Sequence, residues 1–257
     1  MFRIWQFTLF FLLCLVVALL FNLPISQVLP HVKLPRSVQV SGVDGNVLKG
    51  TAVEVRINDF PIRRIEYRYL PSCIPMLKIC YRIDYDRGRV QVAYDLLNGD
   101  TEVSKTRIEY PVAELLKHVP NMLVRPVGRL QLEIDDLTML GEKLVTAEGK
   151  LIWRDLGIND DGIKIDIGDY QFDFTGNPQQ YDFTMRDLDA ALDVKGSGNI
   201  KAAGVYEVDV KIGAQDSIDP QVKSVLNLVA KRSSVNKYRI EKKGRLPANI
   251  TRQLFRK

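Results

Sequence analysis

The chain has 257 residues, 46% of them hydrophobic, enough for one large or two modest domains and too apolar for wholesale disorder. Its 36 Lys and Arg stand against 31 Asp and Glu in an interspersed mixture with a net charge of +5, which lacks the concentrated basic stripe of a nucleic-acid binder. The only two histidines, His31 and His118, have neither each other nor a cysteine at ligand spacing, so no metal site and no cofactor is expected.

From Ile4 to Leu23 the chain is apolar and uninterrupted by charge. About 20 residues rising ~1.5 Å each match the hydrocarbon core of a bilayer, so residues 1–23 are predicted to form a transmembrane anchor with a short cytoplasmic N-terminus. Phe7, Phe10, Phe11, Leu15 and Leu19 are its membrane-facing candidates. A cleaved signal peptide is the competing reading, since Arg3 supplies a positive leader, but Leu20 to Leu23 offer no small-residue cleavage site. The prolines of residues 24–37 predict an extended connector.

Residues 38–257 are expected to form an exported, mainly β domain. Cys73 and Cys80 flank a proline-bearing turn short enough for a disulfide, which would require an oxidising compartment such as the periplasm; two buried free thiols are the alternative. Period-two alternation marks half-buried antiparallel strands at Leu130/Leu132/Ile134, Ile163/Ile165/Ile167, Tyr170/Phe172/Phe174, Tyr181/Phe183/Met185 and Tyr206/Val208/Val210/Ile212. Turns are predicted at Asp86–Gly88, Asn98–Asp100, Asn159–Gly162, Gly176–Pro178 and Gly196–Gly198. Two short packing helices are expected, one from Pro111 to Pro120 and one from Asp219 to Lys231 and Arg232. The fold class is therefore a largely antiparallel twisted sheet or sandwich. Gly45–Leu48 resembles Gly149–Ile152, and Pro111 resembles Pro220, which suggests two related halves with a boundary near 120–145.

Catalytic patterns are missing. Gly196-Ser197-Gly198 fits neither a nucleophile elbow nor a dinucleotide loop. Aligning Gly162 with the glycine of a calcium loop puts Gly157 and Gly168 where carboxylates are required. Asp135 and Asp136 point to opposite faces of a strand, and Asp187 and Asp189 read as a charged edge. At the C-terminus Arg252, Arg256 and Lys257 form a candidate basic contact patch for anionic lipid or an acidic partner, against the alternative of a solvated tail. A small-molecule ligand is not expected.

Several segments taken in order resemble the type II secretion system protein N family. They are the turn from Val40 to Gly45 followed by Gly50, the stretch Gly168–Phe172, the stretches Leu188–Gly196 and Gly204–Gly213, the helix from Pro220, and Tyr238–Gly244. Val47-Leu48 stands where that family commonly has a tryptophan. The resemblance implies a non-catalytic inner-membrane component of the machine that exports folded proteins across the outer membrane, single-pass, with its bulk in the periplasm. The partners it implies are other components of the inner-membrane platform. The alternative function is a lipid-contacting or lipid-carrying periplasmic scaffold resembling proteins of the AsmA and TamB type.

Overall fold

A computed structural model describes residues 2–31, 38–57, 60–116, 126–141, 143–160, 163–214, 222–223, 226–227, 230–247, 251 and 255. The N-terminal run, free of proline and glycine, forms α1 (Phe2–Asn22), a 21-residue helix about 30 Å long. Among the described residues no helix is long and apolar enough to cross a membrane. The expected extended connector is in part helical. Pro24 stands at the start of α2 (Ile25–Val28), and a 3₁₀ turn (Leu29–His31) follows. Pro24 caps α2 and Pro30 lies within the single 3₁₀ turn, positions where a missing N–H costs no helical hydrogen bond. Residues 32–37 lie outside the described ones.

The chain divides into two compact units, Met1–Tyr94 and Asp95–Lys257. The first carries β1 (Val38–Gly45), β2 (Lys49–Ile57), β3 (Phe60–Tyr69), β4 (Lys78–Tyr85) and β5 (Gly88–Asp95). The second carries β6 (Asp100–Pro111), a short helix α3 (Val112–Leu115), β7 (Pro126–Leu140), β8 (Lys143–Asp160), β9 (Ile163–Gly176) and β10 (Gln180–Ala190). It continues with β11 (Leu192–Lys201), β12 (Val205–Ala214), β13 (Lys231–Ser234) and β14 (Lys237–Arg245). All 14 strands belong to one sheet in chain order, except that β14 lies between β12 and β13. Two repeated halves are not present: Asn46–Leu48 is a hairpin turn, whereas Gly149–Ile152 lies in mid-strand β8.

The predicted turns at Asp86–Gly88, Asn98–Asp100 and Gly176–Pro178 join consecutive strands. Gly196–Gly198 does not turn; it is the middle of β11, paired with Met185 to Phe183 on one side and Val210 to Val208 on the other. The reason is the cross-strand neighbour. Phe183 lies over Gly198, so the missing side chain makes room for a ring. The same pairing of a strand glycine with the aromatic residue directly opposite recurs at Gly50–Tyr67, Gly149–Phe174, Gly176–Tyr181 and Gly244–Tyr206. A ring laid across glycine covers backbone that would otherwise weaken the ladder. The interruption at Gly168-Asp169 is likewise no break. β9 runs through it with Gly168 at φ 109° opposite register shifts in β8, so the strand bulges and continues.

The core of the second unit gathers Tyr170, Leu192, Val194, Ile212 and Tyr238 from the sheet under Val222 and Leu226. Those last two are helical residues four apart in sequence, the spacing that presents one apolar face. The helix is shorter than expected at its C-terminal side. Ala230 still donates to the Leu226 carbonyl at 2.9 Å, but Lys231 and Arg232 already belong to β13. Of the other predicted helix, Val112–Leu115 is formed, and 117–125 lies outside the described residues.

Candidate docking site

The first unit joins helix, sheet end and cysteine loop through short-range contacts. Among the described side chains of α1, those from Trp5 to Leu19 are exposed on every side; Phe7, Phe10, Phe11, Leu15 and Leu19 range from 47% to 71%. Two residues past the end of α1, Pro24 bridges Asn46 in the β1–β2 turn. The Tyr67 hydroxyl donates to the Asn46 carbonyl at 2.7 Å, and the Tyr81 hydroxyl to the Val47 carbonyl at 3.1 Å. Burial pushes both phenols above their ordinary pKa, helped at Tyr67 by the Tyr81 phenol and the Asp44 carboxylate and at Tyr81 by the Tyr69 phenol. Both therefore stay protonated donors at neutral pH.

The same sheet end carries the β3–β4 connection. Pro71 opens a 3₁₀ helix (Pro71–Met76), and the chain leaves it through Leu77 in the left-handed region at φ 55°. Cys73 and Cys80 lie with their Sγ atoms 2.06 Å apart and their Cα atoms 6.0 Å apart, and both are buried. The Leu70 N–H donates to the Cys80 carbonyl at 2.8 Å, closing the base of the loop. Ile74, Met76 and Leu77 are left pointing outward at 50% to 58% exposure. Sequence inspection places the cysteines together but does not register these three apolar neighbours, because nothing in their spacing shows which way a 3₁₀ turn faces.

The sheet also ends in open strands. Among the described residues β1 pairs only with β2, leaving its other side without a partner strand over Val38–Gly45, and Gly42, at φ 63° opposite Val53, interrupts the ladder without shifting its register. β13 is the other border, only four residues long and fully exposed, with Lys231 and Arg232 blunting it. β1 is thus the longer template for an added strand. Behind it Glu54 binds Arg56 at 2.8 Å and Arg63 at 3.3 Å, which fixes the outward charges of β2 and β3.

Ser197 is an exposed mid-strand residue of β11. Asp136 accepts from Thr138 at 3.3 Å and from Thr146, and Asp187 accepts from the Val194 N–H at 3.0 Å. Asp155, Asp166, Asp169 and Asp189 line an open hollow. There burial opposes ionisation of Asp169, but the Arg154 guanidinium at 2.7 Å and the Asp155 N–H at 2.8 Å outweigh it and hold the carboxyl below its ordinary range. Among the described residues no group of three or more acidic, histidine or cysteine side chains could hold a metal ion. His118, Asp161, Gly162, Arg252, Arg256 and Lys257 lie outside the described residues, as does the side chain of His31. Of the tail, Phe255 packs edge-on against Tyr181 with ring centroids 5.0 Å apart, and Thr251 meets Gly204.

No curated protein and no solved structure matches the chain. Residues 36–241 match the family model of type II secretion system (T2SS), protein N. That match spans the sheet from its first edge strand into β14, well over half of the sequence, and so the chain belongs to the type II secretion system protein N family.

Proposed function

We propose that this type II secretion component is a non-catalytic docking subunit, held in the inner membrane by α1 with its sheet in the periplasm and its edge strand β1 open to a platform partner. The observation that carries the reading is the border of the sheet. Along the eight residues of β1, the outward N–H and C=O groups of alternate residues meet no strand among the described residues. Such a row of donors and acceptors binds a partner strand by main-chain hydrogen bonds, with side chains of alternate residues setting specificity. Membrane placement is supported by the exposed apolar surface of α1, and an oxidising compartment by the paired, buried Cys73 and Cys80. Photo-crosslinkers introduced at Gln39 and Ser41 of β1 are expected to capture an inner-membrane component of the secretion system in living cells. Absence of adducts, together with undiminished secretion when proline is placed through Val38–Ser41, overturns the proposal.

A second reading is favoured by one feature of the other unit. Ile108, Leu132, Leu151, Phe172, Met185, Gly196, Val210 and Ile240 are successive cross-strand neighbours, and although Phe172, Met185, Val210 and Ile240 pack against the core, none of the row is fully buried. An apolar row of that length suits lipid chains as well as a protein partner. Phospholipid that stays with the purified chain after exhaustive detergent exchange, measured by mass spectrometry, favours a lipid-contacting scaffold; a lipid-free chain favours docking.

A further inference from the structure

We propose that the Cys73–Cys80 loop is a second membrane contact, which seats Ile74, Met76 and Leu77 in the headgroup boundary of an anionic leaflet beside the exit point of α1. The inference rests on the reading of α1 as a bilayer anchor and adds to it a site on the sheet.

Position is the first argument. α1 ends at Asn22, and two residues later Pro24 is bridged to Asn46. That turn is tied to β3 by the Tyr69 N–H to Leu48 carbonyl bond at 2.6 Å, and the loop begins at the next residue but one. Helix end, turn and loop therefore occupy one end of one compact unit. Wherever α1 leaves the bilayer, this end faces the surface.

Chemistry is the second. Water gives no reason to keep three large apolar side chains exposed on a loop whose cross-link and 3₁₀ turn hold it in shape. A bulky residue at positive φ costs free energy, and Leu77 accepts that cost while projecting its side chain outward. Apolar groups seated at the acyl boundary recover the burial they lack in solution.

Charge is the third, and it comes from different residues. Lys49, Arg68 and Arg82 are direct cross-strand neighbours on β2, β3 and β4, and none of them forms an ion pair with a described residue. Like charges directly opposite one another disfavour strand pairing, so the row is a liability unless an anion lies against it. The next residues on that face, two positions further from the loop, are Thr51, Glu66 and Asp84. Positive charge thus occupies the helix-proximal row and negative charge a row about 7 Å behind it, the polarity that suits a phosphate surface. On the opposite face Tyr67, Tyr69 and Tyr81 form edge-to-face contacts with centroids 6.3 Å and 5.7 Å apart. Tyrosine is at home at such interfaces, its ring in the apolar layer and its hydroxyl in the wet one.

The test uses the full chain in vesicles of phosphatidylethanolamine and phosphatidylglycerol at about 7:3, with and without bromine on the upper acyl carbons. Native Trp5 reports α1, and Ile74→Trp in a Trp5→Phe background reports the loop; Trp153, in the other unit, is constant. Brominated lipid is expected to quench the added emission at position 74 about twofold. The quenching should fall to near zero in neutral phosphatidylcholine or when Lys49, Arg68 and Arg82 are all changed to Gln. Met76→Trp provides a second probe should the first variant misfold. Quenching of Trp5 with none at 74 or 76 overturns this inference while α1 stands as an anchor. Absence of quenching at all three positions overturns both. Quenching at 74 that ignores lipid charge and the Gln substitutions overturns the assignment of the loop to an anionic leaflet.

Discussion

Gly198→Ala tests whether ring-over-glycine pairing is what shapes the centre of the sheet. A Cβ at this position would fall on the Phe183 ring and lie 2.7 Å from the Glu207 carbonyl oxygen. The ring can swing, but the carbonyl belongs to the β12 ladder and can yield only if the strand moves. Overpacking of this kind costs about 2 kcal/mol. Phe183→Ala removes roughly 100 Å² of covered apolar surface from a half-buried ring, worth about 2.5 kcal/mol. With the ring absent only the carbonyl contact remains for Ala at 198, so the double variant should lose about 3 kcal/mol, not the 4.5 or so of the summed singles. Gly213→Ala is the control, since its Cβ would meet nothing closer than 3.5 Å. Fewer conformations in the unfolded chain should then stabilise that variant by about 0.5 kcal/mol. Urea unfolding of the full chain in detergent, followed by circular dichroism, measures all four. Additivity of Gly198→Ala and Phe183→Ala within about 0.5 kcal/mol refutes the argument.

Reduction of Cys73–Cys80 should lower stability by about 2.5 kcal/mol, the loop-closure value for a sequence separation of 7; identical urea midpoints with and without reductant would remove the cross-link from the account. Burial, with the Asp187 charge second, raises the pKa of Tyr170. The neutral phenol is favoured in the folded state, so this increment is full below the unfolded value near 10 and is lost as pH rises through the folded one. Ultraviolet titration should show a phenol that ionises only together with unfolding, and free titration of every tyrosine near pH 10 contradicts it. Arg154→Gln should destabilise the chain at pH 7, because Asp169 loses the partner that holds its carboxyl low. That difference should shrink as pH falls below about 4, through the folded value, and a pH-independent difference would assign Arg154 to packing alone.

Strand period, most hairpin turns and the close approach of the two cysteines could all be read along the chain, because each depends on residues close in sequence. The misreadings have a common cause. Gly196 and Gly198 look like a turn until Phe183 is set opposite them, and Gly168 looks like a strand end until the register shift in β8 shows a bulge. The resemblance of Gly45–Leu48 to Gly149–Ile152 dissolves likewise, since glycine serves a hairpin in one place and a ring in the other. Lys49, Arg68 and Arg82 lie in three separate segments, and only the register brings them side by side.

A sheet whose order follows the chain has a kinetic corollary. Through β12 each new strand meets its neighbour already made, so growth needs short-range loop closures and leaves one fresh border at a time. The exception comes last: β14 must slot beside β12 with β13 outside it, which marks the C-terminal hairpin as the piece that closes the assembly and masks its growing end.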